Sequence, residues 1–475
     1  MKKTKIIATI SNEKCDVELL KRMYEAGMNV VRINTAHQEP EDTLEVLENV
    51  RAVSEKIAVM IDTKGPEIRT TSSETPIHVK TGDTIEVHGD PGGQWSSGSI
   101  CVTYEHFAEE MDKDDLILID DGAVALKVLG KDEGVLYCEV QNDGTIMGHK
   151  SVNTPSVHIT NLPALSEKDR RFIEFAADND IDFIAHSFVR SKEDVLEIQK
   201  ILDMKKSRIK IIAKIENQQG VDNIDEILDY AYAVMVARGD LAVEIPAEQI
   251  PLIQKMLVKK CIERRRPVII ATQMLQSMIE NPRPTRAEVS DVANACLDHT
   301  DAIMLSGETA YGKYPVEAVS MMARIAKVVE AGGKQFIDAP YEPDNTVTSY
   351  LSKAAVKAAL RLNTRAIIAD TISGRTIRSM AAYRGKNPIY AQCYSKRVMR
   401  ELALSYGVEA DYMETDLSAH EFLYKALTRL LEAKKFTEKC LITVLAGNYG
   451  VANGASYVEI STPENMLKRC RKMIS

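Results

Sequence analysis

Short apolar runs of strand length recur along the first two thirds of the chain: KIIATI, NVVRIN, IAVMIDTK, DFIAHSF, IKIIAKIE, YAVMVAR, RPVIIATQ and DAIMLSG. Between most of them, in stretches such as DVELLKRMYEAG, KEDVLEIQKILDMKK and AEQIPLIQKMLVKKCIERR, apolar residues return every three or four positions, the spacing of one helix face. Strand then helix, repeated around eight strands, predicts an α/β fold of the (β/α)8 TIM barrel type.

One connection breaks the rhythm. From residue 71 to 157 helical spacing disappears, and short alternating segments such as TGDTIEVHG and EGVLYCEVQNDG are separated by Gly, Asp and Asn turns. This predicts a small β-barrel domain inserted after the third barrel strand, so that residues 1–70 and 158–340 form the catalytic barrel. DAPYEPDNT reads as a linker. Beyond it, residues 345–475 alternate strands (RAIIAD, NPIYAQC, CLITVLAG) with amphipathic helices, the pattern of an open α/β domain.

Composition narrows the function. A net charge of −9 without a basic, aromatic-rich stripe argues against nucleic acid as a partner. No run of eighteen apolar residues predicts a membrane span, and the basic N-terminus leads into an apolar run too short for a signal peptide. Eight cysteines without CxxC spacing predict reduced thiols in a cytoplasmic protein rather than a zinc site or disulfide scaffold.

Active sites of such barrels lie at the C-terminal strand ends, and the charges gather there. Arg32 and Asn34 end strand two, Asp62 and Thr63 strand three, Lys214 and Glu216 strand five, Arg238 and Asp240 strand six, and Thr272 strand seven. Residues two apart on a strand share a face, so Lys214 and Glu216 belong to one site. Glu216 and Asp240 are half of a coordination sphere for Mg2+ (or Mn2+), and a neighbouring Arg and Lys describe a site that handles phosphate. The turn at Gly239 would present backbone amides to a carboxylate or phosphate. An equally simple reading pairs Arg238 with Glu244 as a structural ion pair.

AGMNVVRIN, IDTKGPEIRT, KIENQQG, MVARGDLAVEIP, NPRPTRAEVSDVANA and DAIMLSGETAYGKYP, in this order, closely resemble pyruvate kinases. The resemblance implies transfer of a phosphoryl group from phosphoenolpyruvate to ADP. It implies that Arg32 contacts the substrate phosphate, Lys214 the transferring group, and Glu216 and Asp240 the divalent ion. The amides of Gly239 and Asp240, with Thr272, would hold the substrate carboxylate, and Thr272 would lie near the proton route. Arg69, Lys150 and His37 would serve the nucleotide, and Asn34, Asp62 and Thr63 a potassium ion. A homotetramer is expected, and Ser373, Gly374, Arg375 and Thr376 form a loop that in the family receives phosphorylated effectors.

Two regions depart from the family. Ser11 and Asn12 replace Gly-Pro, and Ala36 stands where the family carries a serine that ligates potassium, although Glu67 matches members that require that ion. KSVNTPS replaces KGVNLPG on the nucleotide side. A catalytically impaired relative that senses metabolites therefore remains the alternative, opposed by the intact Arg32, Lys214, Glu216, Asp240 and Thr272.

Overall fold

The structure, a computed structural model, describes residues 2–73, 75–155, 157–159, 161–332, 346–414, 418–447 and 454–474, without the side chains of His37 and Ala419. Nearly all of the expected linker lies outside the described residues. Eight parallel strands close into a barrel: β1 (Lys5–Thr9), β2 (Val30–Asn34), β3 (Ala58–Asp62), β4 (Phe183–His186), β5 (Lys210–Ile215), β6 (Ala233–Ala237), β7 (Val268–Ala271) and β8 (Ala302–Leu305). Although the insertion separates β3 from β4 in sequence, they pair directly, Met60 opposite Phe183.

The strands divide their side chains by simple alternation. Ile7, Val30, Met60, Phe183, Ala185, Ile212, Met235, Ile269 and Met304 fill the barrel interior. Their neighbours Ile6, Val31, Ile61, Ile184, Ile211, Val234, Ile270 and Ile303 pack outward against the helices. Both faces are therefore apolar, which is why these strands read as continuous hydrophobic runs.

The inserted domain is a half-barrel. Its six-stranded sheet runs in the spatial order Val152–Asn153, Leu116–Ile119, Val124–Asp132, Val135–Val140, Thr84–His88 and Ser99–Cys101, beside a ribbon of Ile77–Val79 and Gly144–Ile146. The domain has its own apolar core. Chain exit and return are tied by Asp169, in the first turn of the helix Glu167–Asp178: its carboxylate accepts from the amides of Lys64 (2.8 Å), Gly65 (3.2 Å) and Ser166 (3.1 Å).

The C-terminal sheet orders its strands Val408–Tyr412, Ile389–Cys393, Ile367–Thr371, Ile442–Gly447 and Ala455–Ser461, all parallel but the last. Only the three inner strands were expected. The two edge strands, VEADY and ASYVEIS, carry charged and half-exposed positions, as sheet edges do, and so lack the apolar run of a central strand.

This domain closes the floor of the barrel. Leu404 joins the interior cluster beside Tyr232. Arg384 clasps Asp301 at the foot of β8 with bonds of 3.0 and 2.6 Å, and both side chains are only 3% exposed. Arg400, also buried, donates to Asp182 (2.7 Å) and Asp180 (2.6 Å) at the foot of β4. Removing one partner of a buried pair strands the other charge, at about 3–5 kcal/mol. Asp301 keeps backbone donors from Val268 and Tyr406, so Arg384→Ala should lower stability by about 3 kcal/mol in urea unfolding; an unchanged midpoint would show that the clasp contributes nothing.

Candidate active site

The same alternation that fills the barrel delivers its chemistry. Thr9, Arg32, Asp62, Ser187 and Lys214 each follow by two positions an inward-facing apolar residue: Ile7, Val30, Met60, Ala185 and Ile212. One step above the apolar interior the next inward layer is polar, and it forms a single network.

Asp62 is the hub, 1% exposed. Arg32 places Nε and Nη2 on Asp62 Oδ2 at 2.5 Å and donates Nη1 to the Thr9 hydroxyl at 3.1 Å. Lys214 Nζ lies 3.0 Å from Asp62 Oδ1, 3.0 Å from Glu216 Oε1 and 2.6 Å from Ser187 Oγ. The second oxygen of Glu216 accepts the Phe188 amide at 2.7 Å.

Burial resists the charge on Lys214, but the Asp62 and Glu216 carboxylates outweigh it and hold the ammonium well above the ordinary lysine value. Asp62 is likewise held below the carboxylate range, the Arg32 and Lys214 charges overcoming its burial. Glu216 goes the other way. Burial, with repulsion from Asp240 and Asp62, pushes its carboxyl up to about 7 against the pull of Lys214. A buried carboxylate repelled by an exposed one beside it suits a hard divalent cation, which takes oxygen donors and relieves their repulsion. The donor chemistry of Glu216 and Asp240 fits a hard divalent cation.

Asp240 and Gly239 lie in the first turn of the helix Arg238–Glu244. The Gly239 amide donates to the Thr272 hydroxyl at 2.8 Å, and that hydroxyl donates to the Ala271 carbonyl at 2.7 Å. Thr272 and Gln273 have φ of +68° and +54°. A β-branched residue is strained there, and by alternation Thr272 would otherwise face the helices. The left-handed turn carries its hydroxyl to the Gly239 amide.

Arg238 does not pair with Glu244. Its guanidinium donates to both oxygens of Asp291 (2.6 and 2.7 Å) and to the Thr272 carbonyl (2.9 Å), bracing the strained turn. Glu244 instead accepts from Asn153 of the inserted domain at 3.2 Å.

The expected nucleotide residues stand apart from this network, at the base of the inserted domain. Arg69 contacts Glu67 (2.7 Å) and the His149 carbonyl (2.7 Å), and Lys150 contacts Asp120 (3.0 Å). Between this domain and the barrel mouth lies an open cleft, lined in part by Glu67, Ser151, Asn153 and Asp240. The side chain of His37 lies outside the described residues. Of the expected potassium ligands, Asn34 Oδ1 accepts the Ala36 amide at 3.2 Å, and the Thr63 hydroxyl accepts the Ser187 amide at 3.2 Å. Ser187 and Thr9 escaped the sequence reading because attention fell on charges. Continuing each inward face by two residues finds both.

The comparisons agree with this architecture. A family model described as "Pyruvate kinase, barrel domain" matches residues 1–319, and one described as "Pyruvate kinase, alpha/beta domain" matches residues 350–461. The chain is 47% identical over 473 residues to a pyruvate kinase of Borreliella burgdorferi, covering 98% of each. It is 44% identical to that of Geobacillus stearothermophilus, covering 94% of this chain and 78% of the relative. A crystal structure of a pyruvate kinase from Cryptosporidium parvum superposes with a TM-score of 0.93 at 34% identity, covering 97% of this chain and 96% of that one. The chain belongs to the pyruvate kinase family.

Proposed function

We propose that this chain transfers the phosphoryl group of phosphoenolpyruvate to ADP, giving ATP and pyruvate, and that it does so with the residues assembled at the barrel mouth. The observation that carries this reading is the Arg32–Asp62–Lys214–Glu216 network, which sets two cations and a metal-ready carboxylate around one point in a family member aligned over its full length. In the reaction the bond from phosphorus to the enol oxygen breaks and a bond to the terminal oxygen of ADP forms. The methylene carbon of the enolate then takes a proton.

Each side chain has a definable task. Arg32, anchored by Asp62, grips the substrate phosphate. Lys214 meets the charge that spreads over the phosphoryl oxygens and the enolate oxygen, where a fixed cation in a water-poor site acts on the transition state. The Asp240 amide faces the substrate carboxylate, and the Gly239 amide and Thr272 hydroxyl turn to it by exchanging their present bonds to Thr272 and Ala271. Thr272 also borders the route of the proton. Glu216 and Asp240 would hold Mg2+ or Mn2+, which would supply charge neutralisation at the phosphoryl group. Arg69 and Lys150, each next in sequence to a residue lining the cleft, Ile68 and Ser151, meet the nucleotide phosphates, with His37 joining them by family analogy.

Potassium belongs to the same reading. Asn34, Asp62 and Thr63 keep their side-chain oxygens while Ala36 has none, so the ion binds weakly, with water or the Thr35 hydroxyl in place of the missing ligand. Losing one neutral oxygen ligand weakens binding by about tenfold. The rate of pyruvate formation from phosphoenolpyruvate, ADP and Mg2+ should rise with potassium, and Ala36→Ser should lower the half-activating concentration by about that factor. A rate indifferent to potassium in both proteins would remove the monovalent site while leaving the enzyme; no turnover at all would favour the sensor.

A second cavity, of about 430 Å³, is lined by Ser373, Arg375 and Thr376 together with Thr348, Ser349 and Arg265. Hydroxyls, a guanidinium and the turn at Gly374, whose φ is +75°, suit a phosphorylated effector. We assign the effector to this loop and a homotetramer to the assembly on the family's pattern. No helix among the described residues is long and apolar enough to cross a membrane.

A further inference from the structure

We propose that Ser187 is a positioning residue that aims the Lys214 ammonium at the transferring phosphoryl group. The inference rests on the role given to Lys214 above. An ammonium has three N–H bonds to direct, and those of Lys214 have three acceptors: Asp62 at the end of β3, Ser187 just past β4, and Glu216 just past β5. Since β4 lies between β3 and β5 in the barrel, the hydroxyl occupies the gap between the two carboxylates.

Ser187 is itself held in place, 3% exposed. Its hydroxyl donates its single hydrogen to the Thr63 carbonyl at 2.7 Å, which leaves lone pairs to face Lys214 Nζ. Its amide donates to the Thr63 hydroxyl, and the next residue, Phe188, sits at a φ of +55° with its amide on Glu216. A bulky residue in the left-handed region persists only when its surroundings fix it, and here bonds to Thr63 and Glu216 do so on both sides.

Division of labour follows from charge. Asp62 and Glu216 are the charged partners, each 3.0 Å from Nζ. Ser187 is neutral, and its contact at 2.6 Å is the shortest of the three. Its loss leaves the lysine charged and paired but free to settle towards either carboxylate, a displacement that misaligns it with the substrate.

Ser187→Ala should therefore lower kcat by about tenfold, with the KM for phosphoenolpyruvate within twofold, because misplacement acts on the transition state and leaves ground-state binding alone. The deciding readout is a double-mutant cycle. If Ser187 works through Lys214, adding Ser187→Ala to Lys214→Met should cost less than a further twofold. Ser187→Cys, which keeps the volume and accepts weakly, should fall between serine and alanine, and it carries the test if the alanine variant does not fold. No loss in kcat, an equal loss in both backgrounds, or a fully active cysteine variant would overturn the proposal. A crippled Lys214→Met beside an unaffected Ser187→Ala would remove this inference alone, whereas a fully active Lys214→Met would remove the reading beneath it.

Discussion

Replacing Lys214 by methionine should lower kcat by on the order of 10³-fold while the KM for phosphoenolpyruvate moves only a few-fold, because a buried cation aimed at developing charge stabilises the transition state selectively. Arg32 remains on Asp62 to hold the substrate phosphate, which is why binding survives. The loss in stability should be smaller than the ~3–5 kcal/mol of a broken buried pair, since the stranded partner can protonate. Glu216, whose carboxyl already sits at about 7 with Lys214 present, rises further once the ammonium is gone.

The sign of the pH dependence follows. A carboxyl raised on folding binds a proton in the folded state that the unfolded state has already released, so stability falls as pH rises from the ordinary carboxylate range towards the folded value. The Lys214→Met protein should therefore lose more melting temperature relative to wild type at pH 8 than at pH 6. Steady-state kinetics and melting at two pH values test both parts; retention of most of the activity would show that Lys214 plays no part in transfer.

Glu216→Gln should weaken divalent-ion binding by on the order of 10²-fold or more, because it removes one of the two carboxylates available to an ion that prefers charged oxygen. The wild-type protein carries a distinctive pH signature. With its carboxyl at about 7, Glu216 must release a proton to bind metal in mildly acidic solution, so apparent affinity should rise close to tenfold per pH unit below that point and flatten above it. Calorimetric titration with Mn2+ across this range should show the slope in wild type and its absence in the glutamine variant. An unaltered slope would place the titrating ligand elsewhere.

Much of this was legible in the sequence, for physical reasons that differ by element. The barrel strands are apolar on both faces, so they stand out as runs, and the break in helical spacing after IDTK marks the insertion. Lys214 and Glu216 were legible because period two admits no other reading once their strand is placed. Arg238 was misjudged because its partner, Asp291, is 53 residues away on another helix, a distance that spacing cannot see. Thr272 was found at its strand end, but nothing in ATQM announces a left-handed backbone. Ser187 and Thr9 are uncharged, and only the three-dimensional continuation of the inward faces gives them meaning.

The floor of the barrel carries a lesson about modularity. By sequence the C-terminal domain looks like a separable attachment, joined through one segment. Yet Leu404 packs in the barrel interior, and Arg384 supplies the guanidinium on Asp301, while Arg400 joins the barrel's own Arg51 on Asp182. A gene cut between residues 332 and 346 would yield a barrel with an open base, with Asp301 stripped of its guanidinium and Asp182 left to Arg51. Crossovers that exchange the C-terminal domain between relatives should therefore succeed only when the incoming piece brings matching guanidinium groups and an apolar stopper. The C-terminal domain therefore serves the barrel as a structural base, and substitutions on its barrel-facing side should register in barrel stability.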